Sequence, residues 1–97
     1  MRTYVVLCNW TQKGIEKVKD SPARLDEAKK AFQAMGAEIK AFYLVMGRYD
    51  MVIVAEAPDD ETAAKLALAV GSRGGIRTES LRAYPEDEYR KLLAALP

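Results

Sequence analysis

Residues 46–60 read MGRYDMVIVAEAPDD. An apolar run ends at Met46, four turn residues follow (Gly47, Arg48, Tyr49 and Asp50), and a second apolar run, MVIVAEA, begins at Met51. Two β-rich runs separated by so few residues predict a β-hairpin. Pro58-Asp59-Asp60 then opens a helix. Working back from the hairpin, EIKAFYLVM (38–46) is its first strand. Ahead of it, Ser21-Pro22 starts a helix with Leu25, Ala28, Phe32 and Met35 at three- and four-residue steps, closed by Gly36. Thr11 caps a short helix interrupted by Gly14, and TYVVLCNW from Thr3 is a strand of β-branched and aromatic residues. Working forward, Ala63, Leu66, Ala67 and Val70 stripe the next helix, which Gly71, Gly74 and Gly75 close. IRTESLRAY (76–84) is a fourth strand, and after Pro85 a terminal helix carries Tyr89, Leu92, Leu93 and Leu96 on one side. The order is β-α-β-β-α-β plus a helix: an α+β, ferredoxin-like, split β-α-β plan in one domain of residues 1–97. Right-handed crossovers place both main helices on one face of a four-stranded antiparallel sheet.

Composition narrows function. Fifteen basic against fourteen acidic residues give a formal net charge of +1, no footprint for nucleic acid. The longest apolar run, the six residues Ala41 to Met46, is too short to span a bilayer, and the first residues lack the layout of a secretion signal. A cytoplasmic protein without membrane or nucleic-acid partners is expected. Cys8 is the single cysteine, so there is no internal disulfide and no thiolate metal cluster. Histidine is absent, which excludes histidine-based triads and histidine-ligated zinc. A carboxylate-held magnesium or calcium stays open, but Asp59-Asp60-Glu61 and Pro85-Glu86-Asp87-Glu88 read as helix starts instead, so neither metal nor organic cofactor is expected.

The strands do not alternate as a half-wet sheet requires. Tyr4, Val6, Cys8 and Trp10 point one way, Val5 and Leu7 the other. An even-length loop setting Met46 opposite Met51 places Phe42, Leu44, Ile53 and Ala55 with them on one face. Ile39, Ala41, Tyr43, Val45, Val52 and Val54 then share the other. A sheet of four strands offers a face of about 350 Å². Pairing two such faces removes about 700 Å² from water, or about 17 kcal/mol gross. Association costs about 4–15 kcal/mol, so a homodimer joined through its sheets is expected.

The stretches YVVLCNWTQKGIEKVKDSPAR, YLVMGRYDMVIVAEAPDD and GGIRTESLRAY together resemble the GYD-domain family, whose Gly-x-Tyr-Asp turn is Gly47-Arg48-Tyr49-Asp50 here. The resemblance covers almost the whole chain and implies a dimeric α+β barrel, without bringing a function. Two kinds of relative in that superfamily point apart. The effector domains of Lrp/AsnC-type regulators carry a similar turn and bind amino acids at subunit contacts. Cofactor-independent monooxygenases and small isomerases use the space between sheet and helices as an active site, and some depend on histidine, which this chain lacks.

Each candidate residue has two readings. In the turn, Gly47 supplies a positive φ, Asp50 accepts backbone N–H groups and Tyr49 packs over the hairpin; alternatively Arg48 and Asp50 offer paired charges to a zwitterionic ligand. In the fourth strand, Arg77, Thr78, Glu79, Ser80 and Arg82 mark either a charged edge or the polar wall of a pocket, where an arginine binds carboxylate or phosphate. Trp10, Tyr4 and Tyr43 are core or interface residues, or line a cleft. The glycine run 71–75 follows a helix, unlike a phosphate loop, and reads as a C-cap and turn. Cys8 is a buried small hydrophobe. The expected function is a non-catalytic protein that binds or senses a small metabolite near a sheet-to-sheet interface. The alternatives are a cofactor-free isomerase or monooxygenase, with Tyr43, Tyr49, Asp50 and Glu79 as its proton-transfer groups, and an assembly module without a ligand.

Overall fold

The computed structural model describes all residues, Met1–Pro97. Strand β1 (Arg2–Trp10) is followed by a short helix α1 (Gln12–Glu16), a 3₁₀ turn (Val18–Asp20) and helix α2 (Ser21–Ala34). Then come β2 (Glu38–Leu44), β3 (Met51–Ala57), α3 (Asp60–Ser72), β4 (Ile76–Ala83) and α4 (Glu86–Ala94). The strands form one antiparallel sheet in the order β2-β3-β1-β4, the ferredoxin-like arrangement. Local chemistry sets the ends. The Thr11 hydroxyl accepts the Gly14 N–H, and the Asp59 carboxylate accepts the Thr62 N–H at the start of α3. That bond holds the Asp59 carboxyl below the usual carboxylate range. Proline stands in the first turn of α2, with Asp20 rather than Ser21 at the cap position. Gly71 lies inside α3, and the chain turns at Gly74, where φ is 82°.

The hairpin loop is two residues longer than expected. Leu44, not Met46, faces Met51, and Met46 is 100% exposed in a loop of residues 45–50. Both loops have even length, so the faces survive the change. Ile39 does not keep its place. A register irregularity at Lys40 sets Ile39 opposite Ala55, turning it to the face of Tyr4 and Cys8.

The helices cover the face of Tyr4, Cys8, Met51, Ile53 and Ala55, which with Leu66 of α3 form the core. Coverage is thin. Only nine of 97 residues are buried, and α2 contributes none of them. The opposite face carries Val5, Leu7, Ala41, Tyr43, Val52, Val54 and Leu81 in register, with Tyr43 58% and Leu81 44% exposed. The C-terminal helix does not close over it. Tyr89, Leu92, Leu93 and Leu96 are themselves exposed, and the molecule extends 51 × 31 × 18 Å. Its radius of gyration is 14.5 Å, against about 12.5 Å for a compact chain of this length.

Candidate functional site

The glycine run is used to fasten the chain. The Thr11 hydroxyl donates to the Gly74 carbonyl at 2.6 Å, and the Thr11 N–H donates to the Gly75 carbonyl at 3.1 Å. A Cβ on Gly14 would stand 1.9 Å from that same Gly75 oxygen, so α1 packs there only because residue 14 has no side chain. This clamp closes one end of a cleft between the sheet and helices α2 and α3.

The cleft holds about 120 Å³, and eighteen of its twenty-six lining residues are hydrophobic. Its floor is the inner sheet face, with Tyr4, Val6, Cys8, Trp10 and Ile53, and its roof includes Phe32 and Leu66. Thr78 and Ser80 of β4 also line it, whereas Arg77, Glu79 and Arg82 of that strand do not. Its charged lining residues are Lys17, Arg24 and Arg73. Burial pushes the Cys8 thiol up to about 11. Burial is also the main cause that raises Tyr4, reinforced by the hydrogen bond its hydroxyl donates to Asp60 Oδ1 at 2.5 Å. That bond, with Arg2 and Arg82 nearby, holds the Asp60 carboxyl below its ordinary range.

The residues singled out from sequence fall into three places. Trp10 lines the cleft. Arg82 shares that side of the sheet at its far end, with its guanidinium 5.8 Å from the Tyr4 ring centre and 4.5 Å from that of Tyr84. It donates to the Thr3 and Ala83 carbonyls and lies 4.0 Å from Glu88. Tyr43, Arg77 and Glu79 lie on the open face, in register with Val52, Asn9 and Leu7.

Tyr49 joins this last group, because its hydroxyl donates to Glu79 Oε1 at 3.1 Å; that bond is the first cause of its raised pKa. Asp50 accepts the Trp10 N–H at 3.0 Å and donates its own N–H to the Cys8 carbonyl at 2.9 Å, tying the turn to the end of β1. Gly47 has a φ of 145°, which a side chain would resist, and Arg48 projects from the loop, exposed. Arg48 and Asp50 therefore differ in their engagement: the carboxylate is held by the backbone, and the guanidinium is free. Sequence reading missed Lys17, Arg24 and Arg73, because no spacing rule brings the first turn of α2 beside the end of α3. It also missed the Tyr4–Asp60 bond, which crosses 56 residues of chain.

The GYD domain model matches residues 4–93. A Thermus thermophilus protein named "Glutamine synthetase and cystathionine beta-lyase binding protein" is 37% identical over 86 residues, 88% of this chain and 90% of that protein. The crystal structure of TTHA0845, also from Thermus thermophilus, aligns with a TM-score of 0.55 and 27% identity over 88% of this chain and 99% of that one. The Mycobacterium tuberculosis leucine response regulatory protein aligns with a TM-score of 0.66 over 87% of this chain. Its 17% identity shows a shared fold alone, and this chain spans about half of its length.

Proposed function

The chain belongs to the GYD domain family, and on that premise we propose that it is a non-catalytic binding protein that holds a small organic molecule between its sheet and its helices. One observation carries this reading: a cleft lined mainly by hydrophobic residues lies between sheet and helices, and the thiol and phenol that line it, Cys8 and Tyr4, are both pushed upward, away from neutral pH. A general acid or base works best with a pKa near the operating pH. The groups an isomerase or monooxygenase would use give that alternative less support. Tyr43 and Glu79 lie on the other side of the sheet, and Asp50 is held by the Trp10 N–H.

Two further parts complete the proposal. The open sheet face is the self-association surface, where Tyr43, Arg77, Glu79, Tyr49 and the free Arg48 would meet a second copy around Val5, Leu7, Val52 and Val54. The larger partner is an enzyme of the kind in the Thermus relative's name, glutamine synthetase or cystathionine beta-lyase of the same host.

Native mass spectrometry of protein purified from its own host tests the first two parts, the bound molecule and self-association. A dimer or higher multiple carrying a small-molecule mass is the expected result. A bare monomer at micromolar concentration, with no adduct, overturns both parts. Capture of either enzyme from the host by immobilised protein tests the third.

A further inference from the structure

The cleft proposed above as the ligand site has a chemical polarity that narrows what it takes. Its walls are mainly apolar along the sheet, where Thr78 and Ser80 are the exceptions, and along α2 and α3, and every charged residue lining it is a cation. Arg73 is already neutralised by Glu27 at 2.9 Å. Lys17 and Arg24 have no carboxylate within ion-pair distance, since the five ion pairs of the molecule involve other residues. The Arg24 guanidinium lies over Gly75, within 3.6 Å of where a Cβ would stand, so it reaches the clamped end of the cleft instead of pointing away from it. The amino end of α2 is at the same end: Ser21 lines the cleft, and no side chain caps that helix. Asp20, just before it, is not among the lining residues. Trp10 and Ile76 form the floor there, opposite one another in β1 and β4.

We infer that the cleft binds an organic acid: a compact apolar body of about six to eight carbon atoms between sheet and helices, with its carboxylate on Arg24 and Lys17. The body size follows from the volume. A dry cavity of about 150 Å³ takes a benzene ring, and this cleft holds about 120 Å³ with an open mouth. The head group follows from the two unpaired cations, for which a planar carboxylate offers the matching fork to Arg24. A cationic or zwitterionic ligand would set its ammonium against them, with no acid among the residues that line the cleft. The inference rests on the reading that this cleft is a binding site.

The test pairs acids with neutral isosteres. Benzoate, phenylacetate and hexanoate are titrated by calorimetry and thermal shift beside benzamide, phenylacetamide and hexanamide, with acetate as the body-less control. At least one acid should bind, raise Tm, and exceed its amide by tenfold or more in affinity, while acetate gives no response. Arg24→Gln, an exposed substitution that leaves the core untouched, should bring acid and amide within about twofold of each other. Lys17→Gln should do so in part. Equal binding of acid and amide to the wild type overturns the anionic head while leaving the cleft as a binding site. No binding of any probe at millimolar concentration overturns the ligand class, and a neutral or cationic molecule found in protein from the host would do the same. If the host protein also carries nothing, the reading of the cleft as a binding site fails with it. Binding of acids that Arg24→Gln leaves unchanged places them elsewhere on the surface and overturns the inference.

Discussion

The two faces of this sheet are alike in residue type and unlike in what lies over them. Tyr4, Val6, Cys8, Met51 and Ile53 look toward the helices; Val5, Leu7, Tyr43, Val52 and Val54, one residue out of phase, look toward solvent. On the first face Cys8 is 0% exposed, whereas on the second Tyr43 keeps more than half of its surface. Yet even the covered face is incomplete, since α2 buries no residue fully and a cleft separates it from the strands. The comparison teaches that apolar character on a strand says a face should be covered but not by what. Here one face has its own helices and room for a small molecule. The other has no such layer of helices, and only Tyr49 of the hairpin loop is bonded to it, at Glu79.

The sharpest way to test that difference is to cut matched side chains from the two sides. Leu66 of α3 is 2% exposed and packs on Tyr4, Ala37 and Ala57. Leu66→Ala should cost about 3 kcal/mol in chemical denaturation, toward the low end of the range for buried leucine because the adjoining cleft lets neighbours relax. Tm would fall by more than 10 °C, at roughly 4–8 °C per kcal/mol. A loss below 1 kcal/mol would mean that the helix-covered face is no more of a core than the open one. Val54, between Val5 and Ala41 at the centre of the open face, gives the complementary cut. Val54→Asp should weaken self-association by about a hundredfold, equivalent to about 2.7 kcal/mol, because a carboxylate would be trapped unpaired between two sheets. If the proposed dimer forms, sedimentation should show it for the wild type and monomer for the variant, with the monomer's far-UV spectrum kept. An unchanged sedimentation coefficient would remove the open face from the assembly.

How much of this was legible in the sequence depends on range. The order of elements, β3 at 51–57, the caps at Thr11 and Asp59 and the sheet plan follow from signals within a few residues: alternation, a capping side chain, a proline in a first turn. The faces were legible because side-chain period is two, and an even change in loop length leaves parity intact. Ile39 was misplaced because the irregularity at Lys40 breaks that parity and carries no residue signature. The site was the least legible part. Trp10 was found as an aromatic on a strand, but Lys17, Arg24 and Arg73 come to line one cleft only through the return of α3 to the sheet, which no local signal reports. Tyr43, Arg77 and Glu79 were noticed for their chemistry, and that chemistry turned out to stand on the uncovered side.

A smaller effect probes the covered face by pH. Burial raises Cys8 from an ordinary value of 9.0 to about 11, so below pH 9 both folded and unfolded chains carry the thiol proton. Between pH 9 and 11 the unfolded chain ionises first, and the folded state loses stability as pH rises, by about 1.4 kcal/mol per unit from this group. Tyr4, raised in the same direction, extends the loss above pH 10. Denaturation at pH 8 and pH 10 should therefore show a steeper decline for the wild type than for Cys8→Ala. Although the variant starts from a lower stability, it lacks the titrating group. Parallel declines would place Cys8 in contact with water.

The smallest expected differences lie in the turn, where adjacent residues are tied to opposite parts of the fold. Asp50 accepts the Trp10 N–H and so satisfies a backbone donor at the end of β1. Asp50→Ala should cost about 1 kcal/mol, as loss of a capping carboxylate does elsewhere. Asp50→Asn, which keeps an oxygen acceptor, should recover most of it. Tyr49 reaches across to Glu79 at an exposed site, where both partners return to water once the bond is cut. Tyr49→Phe should then shift the monomer's Tm by less than about 2 °C. If the open face meets a second copy, the same substitution acts where the first did not: Tyr49 and Glu79 flank that surface, and removing the hydroxyl leaves Glu79 with one partner fewer as the sheets come together. A Tyr49→Phe protein with wild-type monomer stability but a measurably weaker dimer ties the turn to the open face. Equal small losses in both measurements would make the tyrosine a brace for the hairpin alone.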